Sequence, residues 1–292
     1  MPTWRPPSPS SGGGNVAMAP SVANSPGAKR SNLTLRILSS LVLGPLILAA
    51  VYVGQWEFAV IVGLLGVLGV DEWLRLVLRR PPPGWARVSA AIAVVAVTIA
   101  TGCAGAVAGL LVLAAATVLF DIAVNLRLGT PGRMPALGLP YLGLTVVALL
   151  HLRQDGWQPV IWLLVAVWGT DIGGYIFGRW IGGPRLAPRL SPKKTWAGLI
   201  GGAGLAAVAG AVAIAVLHRA GSALVAVPGA ALLALVAQAG DLAESAVKRH
   251  YGVKDSGDLI PGHGGVLDRI DGLLAAAPVF ALFTALLDAS FT

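Results

Sequence analysis

Polar loops cut this 292-residue chain into apolar runs, most of them close to the length that crosses a bilayer, and nothing else in it constrains the fold as tightly. A hydrocarbon core of about 30 Å takes roughly 20 apolar residues as a helix. Nine segments qualify, at 35–53, 56–70, 88–102, 105–124, 136–152, 160–177, 196–217, 223–239 and 273–291. The expected fold class is therefore all-α, a polytopic integral membrane protein of about nine transmembrane helices. Composition agrees, with 56% hydrophobic and 12% charged residues, where a soluble domain carries about 25% charged.

The third and fourth runs are separated only by Gly102-Cys103-Ala104-Gly105, and charge decides whether they are one span or two. Short cytoplasmic loops carry the Lys and Arg excess of a membrane protein. With nine spans, the N-terminal tail with Arg36 at the start of the first run, and the loops 71–87, 125–135, 178–195 and 240–272, fall on one side with 19 of the 21 basic residues, leaving Arg153 and Arg219 opposite. Merging the two runs destroys that pattern. The N-terminus is thus expected in the cytoplasm and the C-terminus outside, in the inner (plasma) membrane.

The net charge of +8 then reads as a topology signal and requires no nucleic acid, although basic loops also attract anionic headgroups. A single Cys103 excludes an intramolecular disulfide and a cysteine metal cluster. Residues 1–32, rich in Pro, Ser, Gly and Ala, read as a disordered cytoplasmic tail ahead of a membrane domain over 33–292. Glycine and alanine in 198–213 and 229–240 suit close helix packing. No internal repeat is visible, which counts against a transporter built from duplicated halves.

Six of the thirteen acids lie in one segment, 240–271. If the eighth run stays helical past Gly240, Asp241, Glu244, Ser245 and Lys248 fall at i, i+3, i+4 and i+7 on one face. An exposed helix extension with a Glu244 to Lys248 pair would account for part of this. Asp241 at the membrane boundary points instead to function, because ionisable groups there are costly. Asp268 and Asp271 stand at the entry to the last run, where an acid also serves as a helix cap. Two acids around Arg269, preceded by His263-Gly264-Gly265, exceed what a cap needs and suggest a site for a metal and a phosphate. A second cluster, Ser191-Pro192-Lys193-Lys194-Thr195, precedes a helix whose free amides would add to an anion cradle. Asp171, inside the sixth run, has Arg179 or a bound cation as its expected partner.

From Ser245 to Asp271 the run Ser-x-Val-Lys-Arg-x4-Lys-Asp-x-Gly-x2-Ile-Pro-Gly-His-Gly-Gly-x-Leu-Asp-Arg-Ile-Asp resembles the signature of the phosphatidate cytidylyltransferases, at essentially every defined position. Ser191-Pro192-x-Lys194-Thr195 and the stretch from Asp171 to Arg179 resemble further elements of that family, and the likeness extends over about residues 33–291. One position departs: Ala197 stands where the family usually carries glutamate.

The resemblance implies that CTP and phosphatidate give CDP-diacylglycerol and pyrophosphate, with cytoplasmic catalytic segments near 171–198 and 240–272. It implies Mg²⁺, with room for a second cation, held by Asp241 and Asp268 and supplemented by Glu244, Asp271 and, further off, Asp171. Lys248 joins Asp241 and Asp268 as a catalytic group. Ser191, Lys194, Thr195, Arg249, Lys254, His263, Gly264, Gly265 and Arg269 become the substrate-binding set. Membrane lipid is the expected partner, and a homodimer is allowed. The rivals are a CTP-dependent prenol or lipid kinase, which shares the nucleotide but transfers a γ-phosphoryl group, and a membrane transporter, which needs neither polar motif.

Overall fold

A computed structural model describes residues 44–129, 133–217, 223–257, 259 and 264–290. The tail over 1–32, the first nine residues of the first expected span, His263 and the last two residues lie outside these. The elements run α1 (Gly44–Val53), α2 (Gln55–Leu78), α3 (Gly84–Leu128), α4 (Met134–Gln154), α5 (Gln158–Trp180), β1 (Arg185–Ala187), β2 (Ser191–Thr195), α6 (Trp196–Val216), α7 (Ala223–His250) and α8 (Leu267–Ser290). Among the described residues the fold is all-α apart from one two-stranded antiparallel hairpin, in which Arg185 pairs with Thr195 and Ala187 with Ser191.

Six helices among the described residues are long and apolar enough to cross a membrane, α3 to α8. The expected count of nine is not confirmed, and the difference has local causes. The described part of α1 is short. α2 carries Glu57, Asp71, Glu72 and Arg75, too many charges for a plain apolar span. α3, with 45 residues, takes in the third and fourth expected runs.

α3 is nonetheless two arms. A continuous helix of that length would extend about 67 Å, yet the Arg127 guanidinium near its end lies 5.1 Å from the Trp85 ring near its start. Gly105, at φ 84°, breaks the helix between them. A side chain on Gly109 would strike the Thr101 hydroxyl, which eight residues of straight helix would hold about 12 Å away. The reversal falls where the charge pattern requires one.

Contacts at the ends sort the loops into two groups. The Gln55 and Gln154 side-chain amides donate to Gly102 O and Thr101 O at 3.5 and 2.8 Å. At the other end Trp73 Nε1 donates to Met134 O at 2.9 Å, Arg79 donates to His250 O at 3.2 Å, and Arg87 pairs with Asp71 at 2.5 Å. The loops after α2, α3 and α7 therefore share one end of the bundle, as the basic residues in them predict.

Helices meet where small residues let backbones approach. On α5 and α6, a Cβ at Gly173 would come within 2.7 Å of Gly201 O, and one at Gly202 within 2.8 Å of Thr170 O. Trp162 Nε1 donates to Gly210 O at 3.0 Å across the same pair. Leu139, Leu142, Leu150, Leu163 and Leu267 lie in the fully buried core of the bundle.

Candidate active site

α7 continues unbroken through Gly240 to His250, so Asp241, Glu244, Ser245 and Lys248 do share a face. At Gly240 a side chain would press on Ala275 Cβ, 2.6 Å away, and on Asp271 O, 3.0 Å away. The missing side chain lets the start of α8 close against α7. α8 begins at Leu267, earlier than the expected run, which makes Asp268 and Asp271 helical.

Two lysines organise the acids. Lys194, on β2, donates to Asp241 Oδ2, and Ser245 Oγ lies 3.4 Å from Asp241 Oδ1. Lys248 donates to Glu244 Oε1 at 3.1 Å and to Asp268 Oδ1 at 2.7 Å. The Glu244 and Lys248 pair is buried, with side chains 0% and 9% exposed, so it is no solvated helix extension. A buried pair of this kind needs its full set of partners to be tolerated. Glu244 Oε2 has none among the described residues.

Asp268 Oδ2 accepts from Ser256 N–H at 2.9 Å, Ser256 Oγ at 3.0 Å and Gly265 N–H at 2.9 Å. Asp271 Oδ1 takes the Gly272 N–H at 2.8 Å. Asp271 lies within electrostatic range of Asp171, Asp241 and Glu244, bringing α5, α7 and α8 to one acidic locus. Arg179 does not pair with Asp171; it donates to the Tyr175 hydroxyl at 3.3 Å, leaving Asp171 on the exposed face of α5. No three His, Cys, Asp or Glu side chains among the described residues converge as ligands of one ion.

The remaining predicted residues divide. Ser191 opens β2, and Thr195 caps α6, its hydroxyl accepting from Gly198 N–H at 3.1 Å, which uses one of the amides assigned to an anion cradle. Arg249 donates to Val253 O at 2.9 Å, while Lys254 and Arg269 are exposed near the same end. Gly264 adopts φ 85°, a left-handed conformation that suits glycine. Gly265 N–H is occupied by Asp268. A side chain on Gly265 would collide with Ser256 Oγ and Glu72 Oε2, so that glycine makes room for a carboxylate of the protein itself.

Glu72 is the residue the sequence reading missed. The second run appeared to end at residue 70, which put Glu72 in a loop; α2 in fact runs on to Leu78 and buries it at 6% exposure. An acid inside a buried helix next to apolar residues was the available signal. Ser256 was also passed over, as was Tyr141 on α4, whose buried hydroxyl has no partner among the described residues and lies in range of Glu244, Asp271 and Asp241.

Similarity to known proteins follows the same residues. A phosphatidate cytidylyltransferase of Brucella suis biovar 1 (strain 1330) is 43% identical over 265 residues, covering 88% of this chain and 94% of that protein. One of Pseudomonas aeruginosa is 40% identical over 266 residues, covering 85% and 96%. The model of the cytidylyltransferase family matches residues 34–287. That match takes in the hairpin, the paired lysines and the acidic helix ends together, and the chain belongs to the cytidylyltransferase family.

Proposed function

We propose that this multi-pass membrane protein transfers the cytidylyl group of CTP to phosphatidate. A phosphate oxygen of phosphatidate attacks the α-phosphorus of CTP, the bond from that phosphorus to the β-phosphate bridging oxygen breaks, and CDP-diacylglycerol and pyrophosphate result. Phosphatidate is anionic at neutral pH, so the attack needs no general base. Such transfers depend on positioning and charge neutralisation.

The observation that carries this reading is the alternation of ammonium and carboxylate at one bundle end: Lys194 on Asp241, and Lys248 between Glu244 and Asp268. Lys194 and Lys248 offer charge to the phosphates of both substrates and to the leaving pyrophosphate. Arg249, Lys254 and Arg269 add a basic rim at the same end.

The donor set suits Mg²⁺, which prefers a few carboxylate oxygens together with phosphate oxygens and water. The unpartnered, buried Oε2 of Glu244 supports this, as does the closeness of Asp171, Asp241 and Asp271. Since no three of the acids converge on one point among the described residues, one or two of Asp241, Glu244, Asp268 and Asp271 would hold the ion, with phosphate oxygens and water as its other ligands, and it would neutralise charge on the transferring phosphoryl group. The N-terminus is cytoplasmic and the site faces the cytoplasm of the inner (plasma) membrane, a side the basic loops favour.

Purified protein given CTP, phosphatidate and Mg²⁺ tests it. CDP-diacylglycerol and pyrophosphate form in equal amounts; release of CDP with a newly phosphorylated lipid would identify a kinase instead.

A further inference from the structure

Three donors from the segment after α7 converge on the buried carboxylate of Glu72. Val266 N–H donates to Oε1 at 2.8 Å, and Leu267 N–H and Ser256 Oγ donate to Oε2 at 3.0 and 3.2 Å. The two amides belong to the start of α8, where backbone N–H groups lack a partner within the helix. A negative charge is favourable there, and Glu72 supplies it from α2.

The contacts continue beyond this cap. Ser256 Oγ is also 3.0 Å from Asp268 Oδ2, Asp268 Oδ1 is 2.7 Å from Lys248 Nζ, and Lys248 Nζ is 3.1 Å from Glu244 Oε1. One chain of polar contacts thus runs from Glu72 on α2, through Ser256, to Asp268 on α8 and Lys248 and Glu244 on α7. The serine hydroxyl has a single proton and serves one of its two carboxylates at a time. Two glycines are fitted to the arrangement. A Cβ on Gly257 would come within 3.0 Å of Glu72 Oε1, and one on Gly265 would overlap Glu72 Oε2.

We infer that Glu72 is a positioning residue for cytidylyl transfer: it fixes the segment that orients Asp268, and through Asp268 holds the ammonium of Lys248. The inference rests on the reaction proposed above. The oxygens of Glu72 are taken up by Val266, Leu267 and Ser256, so on this reading it acts through Asp268 and Lys248. Both of its oxygens accept from backbone N–H groups, so a glutamine of the same shape must turn its own N–H₂ toward one of them. Glu72→Gln therefore keeps the packing of α2 and disrupts the cap.

The test uses the full chain in lipid nanodiscs, with Glu72→Gln, Ser256→Ala and the double variant. Loss of an orienting partner behind a reacting group typically costs about 10- to 100-fold. Glu72→Gln is expected to lower kcat at least tenfold with KM for CTP changed less than about threefold. Amide exchange at 264–268 is expected to accelerate at least tenfold while α5 and α6 keep their protection. The double variant is expected to be no worse than the more damaged single variant, since the two residues act in one chain of contacts.

Unchanged kcat and unchanged exchange in Glu72→Gln would overturn the inference. So would a loss of activity that tracks a general loss of protection across α5 and α6. If Glu72→Gln fails to accumulate, Ser256→Ala decides by the same two readouts. A wild-type protein that makes no CDP-diacylglycerol defeats the proposed reaction, and the exchange comparison then still decides whether Glu72 holds the segment.

Discussion

Lys248 and Asp268 are joined by an ion pair of 2.7 Å between two buried side chains, 9% and 7% exposed. The pair ties the end of α7 to the start of α8 across the signature segment, so the residues that carry the charge also close the loop. Stability and catalysis are therefore coupled at this point, and substitutions there separate into those that affect both and those that affect one.

Lys248→Met removes the shared cation and leaves Glu244 and Asp268 buried without it. Breaking a buried pair in this way costs about 3–5 kcal/mol, to be read as a large drop in the unfolding temperature in detergent. Adding Glu244→Gln restores part of the stability and none of the turnover. Full recovery of turnover in the double variant contradicts a role for Lys248 at the substrates.

Asp241→Asn keeps the shape of the side chain and removes the partner of Lys194, which is only partly buried. Turnover falls by at least about 10²-fold if Asp241 helps hold Mg²⁺, while the amount of protein in the membrane stays close to wild type. Near-normal Mg²⁺-dependent activity rules this assignment out.

The face of α7 was legible because i, i+3, i+4, i+7 spacing holds on any helix, and the reversal at Gly105 because the basic loops must all fall on one side of the membrane. Neither depends on distant contacts. The link from Glu72 to Val266 and Leu267 does depend on them: no local spacing connects α2 with α8, and only their packing brings the acid to the helix start. The glycine pair shows the same limit. Sequence says that Gly264 and Gly265 leave room, and the fold says that at Gly265 the room is taken by Glu72 and Ser256. The hairpin β1 and β2 hid among charges that topology alone explained.

Sidedness follows from the ends of the bundle. Cys103, exposed and beside the α3 reversal, belongs to the end opposite the charged segment. An impermeant thiol reagent labels it in intact cells. In a Cys103→Ser background, Lys254→Cys is shielded until the cells are opened. The reverse pattern requires the inverted orientation.

Ala197, half-buried in the first turn of α6, lies three positions from Lys194. Ala197→Glu adds a carboxylate near a working site and changes the apparent Mg²⁺ requirement by about tenfold, on the scale of one outer ligand, in titrations of activity against Mg²⁺. An inactive wild type made active by this substitution contradicts the reading of Ala197 as a tolerated departure.

The central claim is the fate of the α-phosphorus. Purified protein is supplied with phosphatidate, Mg²⁺ and CTP labelled with ³²P either at the α- or at the γ-position, and the lipid and aqueous products are separated. The α-label is expected in the lipid product and the γ-label in pyrophosphate, one for one; γ-label entering the lipid, with CDP left behind, would contradict cytidylyl transfer.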